Sequence, residues 1–105
     1  MTASDIPIWL GDNAPSVIFE FPFDIVGSDV RLVMCFGGRV LTRSVFSGHM
    51  MIDPETNRVT WPYLPSDFAE VPVRSGLYEL QRVVSGGEAR TYAYGAITLR
   101  SIING

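Results

Sequence analysis

The sequence predicts an all-β protein, an antiparallel β-sandwich of seven or eight strands with one short helical turn. Three observations predict it. Short apolar runs recur about every ten residues, each closed by Gly, Pro, Asn or Asp, which is the rhythm of strands and turns. Most of the runs are too short for helices, and several are rich in β-branched and aromatic residues, which fit a pleated, half-buried surface. Paired glycines stand between runs, where a tight hairpin needs positive φ at both central residues.

Taken in order, residues 6–10 form a first strand, and Pro7, lacking an N–H, places it at a sheet edge or a strand start. Residues 11–15 break it. In residues 17–21 the alternation sends Val17, Phe19 and Phe21 to one face and Ile18 and Glu20 to the other. After the loop at 23–29, the run Val30-Arg31-Leu32-Val33-Met34-Cys35-Phe36 is apolar on both parities, the pattern of a central strand covered on both faces. Gly37-Gly38 turns the chain into a returning strand at 39–46, and residues 49–52 form a short strand. Asp53-Pro54-Glu55-Thr56-Asn57 reads as a turn, with Asn57 suited to the left-handed region. Residues 58–61 follow, with Val59 and Trp61 on one face. Residues 65–70 suit one helical turn capped by Ser66, and Pro72 limits its length. Residues 77–84 and 90–99 form a second hairpin about Ser85-Gly86-Gly87.

The 105 residues suffice for one domain, residues 1–105, with an ordinary apolar fraction of 47%. Cys35 is the only cysteine, so no disulfide framework exists, and its apolar neighbours make it a small buried hydrophobe. The net charge is −3, and the eight basic residues, all arginine, are scattered singly. A phosphate-tracking surface needs a basic stripe, so no nucleic acid is expected as a partner. The N-terminus lacks a positive segment followed by an apolar one, and no apolar run is long enough to span a bilayer. The expectation is a soluble protein without a signal peptide and with no membrane partner.

Few residues can carry chemistry. His49 is the one histidine and reads as a partly exposed structural residue; with Cys35 it cannot supply the four nitrogen and sulfur ligands zinc usually takes. Asp53, Glu55 and Asn57 alternate like calcium ligands, yet the glycine and distal glutamate of an EF-hand loop are missing and Pro54 explains a plain turn. No nucleophile elbow, P-loop or dinucleotide fingerprint is present. No catalytic centre, metal or cofactor is therefore expected. The aromatic residues offer more. Arg90, Tyr92 and Tyr94 share one strand face while Ile97 and Leu99 share the other. Either the first three form an outward stripe of interface-prone residues, or Gly95 marks a bulge that reverses the parity and turns the tyrosines inward. Trp61 is expected at the centre of the core against Tyr78, Leu80 and Ile97, with Trp9 near an edge.

Residues 52–61 (turn, then Val-Thr-Trp), Leu64-Pro65-Ser66-Asp67-Phe68, Gly76-Leu77-Tyr78-Glu79-Leu80 and Gly95-Ala96-Ile97-Thr98-Leu99 recur in a recognisable order, preceded by Phe23-Asp24-Ile25-Val26-Gly27-Ser28-Asp29. This order, covering residues 16–100, resembles the small Ig-like sandwich modules of tailed-phage and prophage structural proteins, such as the N-terminal module of upper baseplate proteins. The resemblance implies an Ig-like sandwich and a non-catalytic structural or interaction role in a tail, baseplate or fibre attachment. Its partners would be other virion proteins or further copies of the chain, and its location the virion or the bacterial cytoplasm. Gly76 would let the chain turn sharply into a strand, and Tyr78 could bond across that corner as the tyrosine corner of such sandwiches does. A stand-alone carbohydrate- or peptide-binding sandwich is the alternative, and a small enzyme a more distant one.

Overall fold

The structure is a computed structural model that describes residues 2–3, 5–10, 16–71, 73–83 and 87–101. It contains strands β1 (Thr2–Ala3), β2 (Ile6–Leu10), β3 (Val17–Glu20), β4 (Asp29–Phe36), β5 (Arg39–Ser44), β6 (Met51–Asp53), β7 (Arg58–Trp61), β8 (Ser75–Val83) and β9 (Ala89–Ser101). One 3₁₀ turn, Pro65–Phe68, separates β7 from β8. β1 and β2 lie end to end along β9, so the larger sheet reads β1/β2-β9-β8-β4-β5, and β3-β7-β6 forms the smaller. This is the Ig arrangement: β9-β8-β4-β5 takes the places of strands G, F, C and C′, and β3-β7-β6 those of B, E and D. The fold class is an all-β, Ig-like sandwich.

One feature departs from an all-antiparallel sandwich. β1 and β2 pair with β9 in parallel, Ile6 opposite Ile97 and Trp9 opposite Arg100. The other pairings are antiparallel. Pro7 does sit on an edge strand. At Trp9 the outward backbone of that edge is satisfied from the opposite layer, because the Trp9 N–H donates to the Tyr63 hydroxyl (3.0 Å) and that hydroxyl donates to the Trp9 carbonyl (3.5 Å). Tyr63 is buried, so one side chain ties the two layers together at Trp9.

The core lies between the sheets. Leu32, Met34 and Phe36 from β4, Tyr78 and Leu80 from β8, Ile97 and Leu99 from β9, and Val59 and Trp61 from β7 are all buried. Trp61 is the largest side chain enclosed there, with ring centroids 5.4 Å from Tyr63 and 5.8 Å from Phe68. Trp9 is 42% exposed, under the Arg100 guanidinium 5.7 Å from its ring centroid. The alternation expected in β3 and β7 holds, with Ile18 exposed and Val17 and Phe19 turned inward against the core.

The turns follow their chemistry. Gly37 and Gly38 have φ of 55° and 89° between the paired Phe36 and Arg39, a two-residue hairpin of the type whose twist matches the flanking strands. Asn57 has φ 52° and closes the β6–β7 turn, where the Asp53 carboxylate accepts the Glu55 N–H. The Ser85-Gly86-Gly87 hairpin lies largely outside the described residues.

Several local expectations are corrected. The 3₁₀ turn is capped from Leu64, not Ser66: Asp67 accepts the Leu64 N–H at 2.7 Å and also pairs with Arg43 of β5 at 3.0 Å. Asp67 wins because a carboxylate three residues into the turn reaches back to the cap N–H. Gly76 does not turn the chain; it lies inside β8, opposite Ile97. Its lack of a Cβ is needed because the Cys35 carbonyl oxygen and Phe36 Cδ1 occupy the place a Cβ would take. His49 precedes β6, and its Nδ1 accepts the Ser44 N–H at 3.2 Å. No helix among the described residues is long and apolar enough to cross a membrane.

Candidate interaction face

The two parities of β4 differ in cover. Val30, Leu32, Met34 and Phe36 are fully buried, as its inward parity requires. The outward parity, Arg31, Val33 and Cys35, is not covered as the two-sided apolar pattern leads one to expect. Cys35 is exposed, correcting its reading as a buried hydrophobe, because the fold places one layer against β4 rather than two. The strand is apolar on both parities, and the core covers one of them.

Register extends this face sideways. Cys35 lies opposite Val40 on β5 and opposite Leu77 on β8, and Leu77 lies opposite Ala96 on β9. A row of four uncharged side chains, Val40, Cys35, Leu77 and Ala96, thus crosses four strands. The adjacent row is Thr42, Val33, Glu79 and Tyr94, and beyond it stand Arg31 and Gln81. Val40 is 59% exposed, Leu77 69% and Tyr94 44%. Together with Val33 and Cys35 they line a shallow concavity of about 590 Å³. Contiguous exposed apolar patches on monomers are often functional.

The trio Arg90, Tyr92 and Tyr94 is not one stripe. Leu80 pairs with Ala93 and Gln81 with Thr91, so Tyr92 is an extra residue in β9 with no partner opposite. The parity therefore reverses at Tyr92 rather than at Gly95. Tyr92 turns inward to rings at 4.4 Å (Phe21) and 5.7 Å (Phe23), and Arg82 lies 4.9 Å over Phe23. Tyr94 stays outward on the apolar face. Arg90 lies beyond the bulge, exposed and 3.6 Å from Glu88. The two tyrosines do not form a joint stacking platform.

The other sheet offers less. Ile18 and Met51 flank Thr60 on its outer surface, bounded by the ion pair of Arg58 and Glu20 at 3.1 Å. Among the described residues no three His, Cys, Asp or Glu side chains gather as a metal site would require. The sequence signal for the face was the second apolar parity of β4; Val40, Leu77 and Ala96 join it only through cross-strand register.

The chain matches no protein-family model and no curated protein. Among solved structures it is similar to Drosophila OTK, extracellular domains 3-5, with a TM-score of 0.38 and 11% identity. That alignment takes in 97% of this chain and 33% of the other, so the chain spans about a third of that neighbour's length.

Proposed function

We propose that this protein is a non-catalytic interaction module that docks through the outer face of its larger sheet. The observation that carries the proposal is the uncharged row Val40, Cys35, Leu77 and Ala96, the first three exposed and Ala96 half-buried, on strands whose opposite face is the core. Exposed apolar patches on a rigid sheet are interface material, and an outward Tyr94 at the border adds a residue type enriched at binding hot spots. The setting proposed is a tailed-phage or prophage particle, in a tail, baseplate or fibre attachment. That setting rests on the order of turn, Val-Thr-Trp, Gly-Leu-Tyr-Glu-Leu and Gly-Ala-Ile-Thr-Leu segments in residues 52–99.

Co-expression with the products of neighbouring genes tests it. The wild-type chain should co-purify with a particle protein or with a differently tagged copy of itself. Leu77→Arg should abolish this while Ile18→Arg, on the outer surface of the other sheet, should not. Retention by Leu77→Arg equal to wild type would overturn the face assignment. Neighbouring genes that all encode metabolic enzymes would overturn the setting.

A further inference from the structure

We infer that the occupant of this face is a second copy of the chain, packed sheet against sheet about a two-fold axis. The inference rests on the reading of the face as an interaction surface. Three observations select a second copy.

The size fits. With strands about 4.8 Å apart and a rise of about 3.3 Å per residue, five strands and the nine residues of β8 give a footprint of about 24 by 30 Å. That is on the order of 700 Å², close to the roughly 800 Å² each partner contributes to a standard interface. A short peptide or small ligand would leave most of it open.

The relief fits as well. The side chains of this row are no longer than Leu77, so a second sheet can approach to about 10 Å, the spacing at which sheets pack in sandwiches. A two-fold interface sets the same patch against itself and demands self-complementarity. An uncharged row meets that demand; the Asp5 carboxylate, which accepts the Ala96 N–H at 3.3 Å, stands at its β9 end, Glu79 stands on the adjacent row, and Arg31, two rows away, is paired with Asp29 at 3.1 Å. Pairing would also bury the outward parity of β4, giving Val33 and Cys35 the two-sided cover that their sequence pattern specifies.

Sedimentation with reductant present, from low micromolar to near-millimolar protein, provides the test. The mass should rise with concentration from 11.6 kDa towards twice that value. Leu77→Arg should weaken the dimer by about a hundredfold or more, as an unpaired charge buried in an apolar contact does. Val40→Lys, at a second exposed position, should act alike, whereas Ile18→Arg should leave the dimer unchanged. Circular dichroism and melting of each variant should match wild type. Cys35 should label more slowly as wild-type concentration rises, and at a constant rate in Leu77→Arg. A wild-type chain that stays monomeric throughout overturns the inference, as does a dimer that Ile18→Arg disrupts and Leu77→Arg does not. A monomer that still co-purifies with a particle protein through Leu77 overturns self-pairing alone and leaves the interaction face standing.

Discussion

Replacing Trp61 by alanine removes the largest enclosed side chain of the core, and its cost can be worked from its surroundings. Trp61 is 2% exposed, and truncation strips on the order of 150 Å² of buried apolar surface, or about 4 kcal/mol at about 25 cal/mol per Å². The rings of Tyr63 and Phe68 border the space left behind, and Tyr63 is pinned by its hydroxyl to the Trp9 backbone, so collapse is incomplete. The expected loss is about 3–5 kcal/mol, a large part of the roughly 5–15 kcal/mol that holds a domain together. Trp9, 42% exposed, gives up about half as much area and its contact with Arg100, so Trp9→Ala should cost about 1–2 kcal/mol. Urea denaturation measures both. Each variant leaves one tryptophan as its reporter: Trp61 should emit in the blue and resist acrylamide, and Trp9 should be quenched readily. A Trp61→Ala protein within about 1 kcal/mol of wild type, or a quenchable Trp61, would refute the assignment of inside and outside.

Gly76→Ala should destabilise the protein by about 1–3 kcal/mol, reversing the gain that alanine usually brings to a strand, because the new Cβ meets the Cys35 backbone and Phe36 Cδ1 at 2.8 Å. A melting temperature at or above wild type would show that β4 and β8 are not so close there. Tyr63→Phe should lose about 1–2 kcal/mol by leaving the Trp9 N–H without its acceptor, with faster hydrogen exchange confined to β2. Unchanged exchange at Trp9 would count against the sheet-to-sheet tie. His49→Ala should cost about 1 kcal/mol, more than an ordinary surface position, because Nδ1 accepts the Ser44 N–H. Urea unfolding indistinguishable from wild type would show that this bond contributes nothing.

Local features were legible in the sequence and distant ones were not. The alternation of β3 and β7, the Gly37-Gly38 hairpin and the burial of Trp61, Ile97 and Leu99 all follow from period-two patterning and turn chemistry. The parallel seat of β2 on β9 did not, since an edge strand marked by Pro7 does not name the strand it will join across more than eighty residues. The bulge at Tyr92 has no local marker: Gly95, the residue that suggested one, sits in regular pairing opposite Tyr78. For the same reason Arg90, Tyr92 and Tyr94 looked like one face. β4 was legible only in part. Its two apolar parities were plain, but only the layer count revealed that one of them faces outward.

The rate at which Cys35 reacts with a thiol reagent in dilute native protein tests the central claim most directly, because the whole interaction argument rests on the outward parity of β4. The exposed side chain should react at a rate near that of the denatured chain. Protection by about a hundredfold or more, which even ~3 kcal/mol of opening free energy would impose, would place Cys35 in the core and contradict the account.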